Sequence, residues 1–473
     1  MRKQGEKMVR VNEDKTFEAV IEGLDTKGEG LVQVESVSRK GKVYRSKLSI
    51  PYTLPGEKVK AKVAMPYRKN RATLLEVQEA HPERISPRCA HFGLCGGCSW
   101  QHWTYEAQLE QKTNQVKQYL IDNGHDPSLV RPTIPAVNNW HYRNKMEFTF
   151  RPDGAIGLHV KGSYKEIIEL EECHIATKLM IDVTKLVGEW VKEVGLPGYN
   201  KETKEGLFRN VIVRHSEATG EVMLALFATE RPKEAYKTEL LVERMNERFP
   251  EVKSLLWLVN RDIGDRTQAE ETIVLSGRDF IYDELGGFRF RLWFDTFFQP
   301  NPRQAEVLVD LALQMAEPKQ DERMVDLFCG VGTFSLPFAK HVKELYGVEI
   351  VETSIESAKR NAKDNGITNA KFFAQDARLG LRDVVDTYGI PDLLLVDPPR
   401  SGTGGKVMRR IARTEAARVV YVSCNPKTFA EDITHMLDFG YELEVVQPVD
   451  QFPQTYHIET VSVLRKTSPA TRR

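Results

Sequence analysis

Hydrophobic and polar positions follow three rhythms along this chain. From about residue 10 to 78 the period is two. Phe17-Glu18-Ala19-Val20-Ile21-Glu22, Gly30-Leu31-Val32-Gln33-Val34, Lys42-Val43-Tyr44 and Lys58-Val59-Lys60-Ala61-Lys62-Val63 read as short strands. Gly28-Glu29-Gly30 and the prolines at 51 and 55 punctuate them. This alternation predicts a small antiparallel, OB-like β-barrel, with Lys58, Lys60 and Lys62 on one face of a strand. From about 79 to 290 the pattern is mixed. Helical stretches at 104–123 and 177–194 stand among strand-like segments at 145–150, 210–214, 221–227, 255–259 and 288–291, which predicts an α+β domain. From about 291 to 465 continuous apolar segments at 324–328, 345–348, 371–374, 392–396 and 418–422 alternate with helical ones. Strands apolar on both sides predict a parallel, Rossmann-like α/β sheet covered on both faces. No helix is expected between 441–447 and 460–464, so those two strands are read as an antiparallel edge.

Length agrees with a multidomain reading, since 473 residues exceed a single core. No run of about 18 apolar residues occurs, and no apolar signal region follows MRKQGEKMVR. A cytoplasmic protein with no membrane partner is expected, with frayed polar ends at about 1–9 and 466–473. No protein partner is suggested, and a monomer is expected. Net charge is zero, yet residues 1–88 hold nineteen Lys and Arg against twelve Asp and Glu. A basic module on a mildly acidic remainder can approach a phosphate backbone, though a solvated basic face reads the same way.

The candidate chemistry lies at strand ends. Asp326-Leu327-Phe328-Cys329-Gly330-Val331-Gly332 leaves a strand and opens a helix, and glycines there let a ligand approach the backbone. Glu349, closing the next strand, can accept hydrogen bonds from both hydroxyls of a ribose, and Asp376 after the third can bond an adenine amine. Together they indicate a nucleoside-bearing cofactor; the glycines alone do not, and the spacing is not that of a dinucleotide fingerprint. The turn resembles motif I of Rossmann-like methyltransferases, which implies S-adenosylmethionine. Asp397-Pro398-Pro399-Arg400 and Ser423-Cys424-Asn425-Pro426 also follow apolar strands, so both fall at the carboxyl edge of a parallel sheet. The prolines stiffen a wall for a planar base. Cys424 is a candidate nucleophile and Glu459 a candidate base, whereas Cys329 reads as packing.

The DPPR, SCNP and HIET segments, in that order, resemble the RNA uracil-C5 methyltransferase family, and Phe297-Phe298-Gln299-Pro300-Asn301 resembles its FxQxN segment. The resemblance implies that Gln299 contacts cofactor or base and that Phe328, Glu349 and Asp397 line the cofactor site. It also implies that Cys424 attacks carbon 6 of uracil and that Glu459 removes the carbon 5 proton. Gly330 and Asp376 complete the expected cofactor set. His141-Tyr142-Arg143-Asn144-Lys145 looks like a family segment that touches RNA.

Four further cysteines, Cys89, Cys95, Cys98 and Cys173, suit zinc or an iron–sulfur cluster by their chemistry; the three-plus-one spacing favours the cluster. That spacing resembles the [4Fe–4S] site of the 23S rRNA branch of the family, with zinc the lesser alternative. The first segment resembles a TRAM domain, an RNA-binding barrel. The expectation is therefore 23S rRNA uracil-C5 methylation; tRNA methylation, and a non-catalytic RNA-binding protein, are the alternatives. Cytosine-C5 chemistry fits Glu459 and the DPPR loop less well.

Overall fold

The computed structural model describes residues 9–11, 16–37, 43–63, 70–163, 165–262 and 268–467. Lys42 and most of the ends expected to fray, 1–8 and 468–473, lie outside these residues, whereas Val9 and Lys466 belong to strands. The described chain forms two compact units: residues 1–108 with 453–456, and residues 109–452 with 457–473.

The smaller unit contains the predicted short strands. Val9–Val11, Gly23–Leu24, Gly30–Val37 and Val43–Ile50 make one sheet; Thr16–Val20, Lys58–Val63 and Ala72–Glu79 make another. Both contribute to one core that includes Phe17, Ile21, Val32, Val34, Leu48, Ile50, Val59 and Ala61. Val59, Ala61 and Val63 are buried, so Lys58, Lys60 and Lys62 share the outward face, as strand alternation requires.

In the larger unit, a central seven-stranded sheet runs in the order Ile167–Glu169, Ile156–His159, Lys145–Phe150, Phe208–His215, Val222–Ala228, Val252–Val259, Glu271–Gly277. Helix Lys178–Val194 buries Met180, Val183, Val187, Trp190 and Val191, a helical stripe, and stops at Gly195 with φ 73°. The opposite face of the sheet, through Met223, Phe227 and Leu256, joins a core that continues into the last third of the chain through Phe298, Leu308, Met324, Leu395 and Val420.

That last third builds a second seven-stranded sheet. Its strands are β1 (Arg323–Leu327), β2 (Glu344–Glu349), β3 (Ala370–Ala374), β4 (Leu393–Val396), β5 (Arg418–Ser423), β6 (Tyr441–Val449) and β7 (Glu459–Lys466). The spatial order is β3-β2-β1-β4-β5-β7-β6. The first five strands are parallel, and β7 runs antiparallel to both β5 and β6, the edge expected from the missing helix. Helices α1 (Pro302–Ala316), α2 (Ser335–Ala339), α3 (Glu352–Asp364), α4 (Ala377–Tyr388), α5 (Gly405–Ala412) and α6 (Pro426–Leu437) accompany it. Every residue of β4 and β5 is buried, which explains their unbroken apolarity. The chain winds from β1 outward to β3, then crosses back to β4. A crevice at the carboxyl ends follows from that reversal.

Candidate active site

The crevice begins where β1 ends. Phe328 takes φ 65°, a left-handed conformation rare for a bulky side chain. Its amide and that of Cys329 both donate to the Val348 carbonyl, at 2.8 and 3.2 Å, and so hold the turn against β2. Gly330 follows with φ 53°, and a Cβ there would meet nothing within 4 Å, so the loop faces open space. Asp326, inside β1, accepts from Ser335 Oγ at 2.5 Å through Oδ2. Its Oδ1 is buried with no hydrogen-bond partner among the described residues. Burial, with the charges of Asp397 and Glu349 adding to it, pushes Asp326 up to about 8. Glu349 closes β2, and its Oε1 accepts from the Val351 amide at 2.9 Å. Asp376 is exposed and caps α4: Oδ1 accepts from the amides of Arg378 and Leu379 at 3.1 and 3.2 Å.

On the other side of the crevice, register brings the two reactive candidates together. Ser423 at the end of β5 pairs with Thr460 of β7. Cys424 and Glu459 are the next residue on each strand, at the same edge. Asp397 enters from the end of β4, and Asn425 Nδ2 donates to the Arg400 carbonyl at 2.9 Å, tying the two loops together. Burial pushes the Cys424 thiol up to about 12, helped by Glu459 and Asp397 and opposed by Arg400. Glu459 is buried and held well above the usual carboxylate range by burial and Asp397, with Arg400 again opposing. Burial alone raises Asp397 to about 7. His457 is pushed down to about 4 by burial and by Arg400, Lys112 and Arg143. Carboxyls raised by burial, with neighbouring carboxylates adding to it at Asp326 and Glu459, suit a cationic ligand, whose charge favours their ionised forms.

Gln299 sits in a buried loop ahead of α1. Asn144 Nδ2 donates to the Gln299 carbonyl at 3.1 Å and the Asn144 amide to the Pro300 carbonyl at 2.9 Å. Asn301 and Gln451 hold one another's backbone carbonyls at 3.1 and 3.2 Å. Asn144, from the segment expected to touch RNA, therefore fixes this loop. Electrostatic coupling joins Asp326, Glu349, Asp397, Cys424 and Glu459 into one set; Phe328 and Gly330 border it along the chain. Asp326 and Arg400 belong to the set but were not singled out by sequence. A charged residue inside an apolar strand, and a cation ending the proline loop, were their signals.

The four remaining cysteines divide between the two units, Cys89, Cys95 and Cys98 in the smaller and Cys173 in the larger. Cys95 Sγ accepts from the Gly97 amide at 3.4 Å in the smaller unit. Cys173, in the larger unit, packs against the apolar core of the central sheet. Among the described residues no three His, Cys, Asp or Glu side chains are grouped to hold a metal ion. Spacing keeps Cys89, Cys95 and Cys98 close along the chain, but it does not dictate where their sulfurs point. The expected metal centre is therefore not shown among the described residues. Nor is any helix among the described residues long and apolar enough to cross a membrane.

The family model for tRNA (uracil-5-)-methyltransferase matches residues 104–467. An uncharacterized RNA methyltransferase of Halalkalibacterium halodurans is 38% identical over 459 residues, covering 96% of this chain and 98% of that protein. Another, from Chlorobaculum tepidum, is 35% identical and covers 87% and 90%. Among solved structures, the Pyrococcus abyssi tRNA (uracil-54, C5)-methyltransferase in complex with S-adenosyl-L-homocysteine superposes with a TM-score of 0.73. It is 26% identical, over 94% of this chain and all of that one.

Proposed function

The chain belongs to the RNA uracil-C5 methyltransferase family, and on that premise we propose that it methylates carbon 5 of a uridine in RNA, with Cys424 as nucleophile and Glu459 as base. The observation that carries this reading is the pairing of β5 with β7, which sets a thiol and a buried carboxyl side by side at the crevice.

Carbon 5 of uracil is a poor nucleophile until a thiolate adds to carbon 6. The target base leaves its stack to reach the crevice, as chemistry on a base requires. S-adenosylmethionine supplies a methyl group on a positive sulfonium. The unpartnered Oδ1 of Asp326 and the carboxyls raised by burial fit a ligand of that charge. A cation in the crevice, together with Arg400, favours ionised Cys424. Cys424 Sγ bonds to carbon 6, and the electron pair released to the ring lets carbon 5 take the methyl group. Glu459 then accepts the carbon 5 proton, the carbon–sulfur bond breaks, and Cys424 departs as 5-methyluridine forms. Glu349 would bind the ribose, while Gln299, Phe328, Gly330, Asp376 and Asp397 would line the cofactor and base.

As substrate we favour 23S rRNA, on the cysteine spacing and the TRAM-like barrel. A tRNA substrate is the second reading, favoured by the likeness to the Pyrococcus abyssi enzyme. The [4Fe–4S] reading of Cys89, Cys95, Cys98 and Cys173 rests on spacing alone. No step of the reaction runs through a cluster. Iron and sulfide in anaerobically purified protein would support it; zinc without iron would refute it. Incubation with labelled S-adenosylmethionine and either RNA should yield 5-methyluridine, and Cys424→Ala should abolish it. Unchanged methylation by that variant would sink the mechanism.

A further inference from the structure

The loop that carries Arg400 runs directly into α5, and the stretch from 400 to 413 reads RSGTGGKVMRRIAR. It holds five cations, Arg400, Lys406, Arg409, Arg410 and Arg413, and no acid, in a chain whose net charge is zero. α5 buries Met408, Ile411 and Ala412. At about 100° per residue, Lys406, Arg409, Arg410 and Arg413 fall on the opposite side within roughly a quarter to a third of a turn. Lys406, Arg409 and Arg413 are exposed, as is Arg400.

Several surface cations elsewhere in this unit are paired with acids: Arg244 with Glu193, Arg248 with Glu189, Arg261 with Glu270 and Arg465 with Glu444. Among the described residues none of the five cations of 400–413 forms an ion pair, although Arg410 acts on Asp383 and Arg400 on Glu459 at longer range. Arg409 Nη1 instead meets His435 Nδ1 at 3.3 Å, a contact that orients the guanidinium without cancelling its charge. The helix is also anchored. Asp432 of α6 accepts from the Thr403 and Gly404 amides at 2.8 and 3.1 Å, so the first turn of α5 starts at the crevice edge. From Lys406 to Arg413 the cations span about 10 Å at about 1.5 Å per residue, enough for two or three phosphates of a single strand.

We propose that the cationic face of α5 is a track for the phosphates of the RNA strand that delivers the target uridine to Cys424. This rests on the RNA-methylating reading above and names the surface that serves it. A polyanion is required, since a row of unneutralised cations with no aromatic or apolar component on that face reads backbone charge and not base identity.

The test compares the full-length protein with the Lys406→Glu/Arg409→Glu/Arg413→Glu variant, none of which contacts the reacting groups. Binding of a uridine-containing single-stranded RNA is measured across a salt series. Each lost phosphate contact removes about 0.7 from the slope of log affinity against log salt, so the slope should flatten by about two. KM for RNA should rise tenfold or more, with kcat at saturating RNA, thermal midpoint and Cys424 alkylation unchanged. A wild-type slope in the variant, or loss of binding only to anionic vesicles, overturns the track. Failure of the wild-type protein to methylate any RNA would overturn the functional reading itself, and the track with it.

Discussion

A thiol pushed up to about 12 is protonated at neutral pH, so Cys424 must be activated by what enters the crevice. The sign follows from the charges around it. Ionising Cys424 puts an anion beside Glu459 and Asp397, so an added cation lowers its pKa and removal of that cation raises it. Alkylation of Cys424 by iodoacetamide, followed by mass spectrometry, should be slow at pH 7 and rise with pH. Saturating S-adenosylmethionine should shift the profile to lower pH, and S-adenosylhomocysteine, which lacks the sulfonium charge, should shift it less. Equal shifts from the two would mean that charge is not the cause. Glu459 acts later. Glu459→Gln keeps the shape and removes the proton acceptor, so turnover should fall by about 10²–10⁴-fold, the usual worth of a positioned base. Protein covalently joined to RNA should then persist through a denaturing gel; ordinary turnover without that species would exclude Glu459 as the base.

Between elements, the segment that follows the DPPR loop is held by α6. Asp432 Oδ2 accepts from the Thr403 amide, the Thr403 hydroxyl at 2.9 Å and the Tyr421 hydroxyl at 2.7 Å, while Oδ1 takes the Gly404 amide. Asp432→Asn replaces an acceptor with a donor against these groups and leaves buried donors unmet, at about 1–3 kcal/mol. The expected result is a lower denaturation midpoint and a fall in kcat/KM, because Arg400 loses its fixed approach to Cys424. A destabilised variant with undiminished kcat/KM would confine Asp432 to a folding role. None of this was legible in sequence, since Asp432 is 28 and 29 residues from the groups it holds. What was legible had local causes. β4 and β5 announced themselves as unbroken apolar runs because both faces are buried. Helix α1 is not among the elements read from periodicity, although its signal is local: Asn301 caps the Gln304 amide and Pro302 occupies the first turn.

Across the whole larger unit, the decisive contacts join residues far apart in sequence. The nearness of Cys424 and Glu459 comes from β7 returning antiparallel between β5 and β6, a register that periodicity of β7 alone does not reveal. The cysteine set stands apart: its spacing along the chain is plain, and among the described residues no group of three is arranged to hold a metal ion. Lys112 and Asp450 are the extreme case, 338 residues apart, 2.5 Å between Nζ and Oδ1, both side chains wholly buried. Burial lowers the Lys112 pKa, and Asp450 holds it up. Neither residue stood out in sequence, because a lysine on an amphipathic helix ordinarily faces water. Lys112→Met leaves Asp450 as a buried charge without its cation, which costs about 3–5 kcal/mol, whereas replacing both partners by apolar groups is often close to neutral. The single variant should therefore unfold at markedly lower denaturant and the Lys112→Met/Asp450→Leu double variant should recover most of the loss. If the double variant is no more stable than the single, the pair is not what fixes helix Tyr105–Asp122 to the end of β6. If it recovers stability but not methylation, the ion pair serves to direct the chain from Asp450 towards Glu459, and charge at this distance from the crevice is retained for geometry and not for stability.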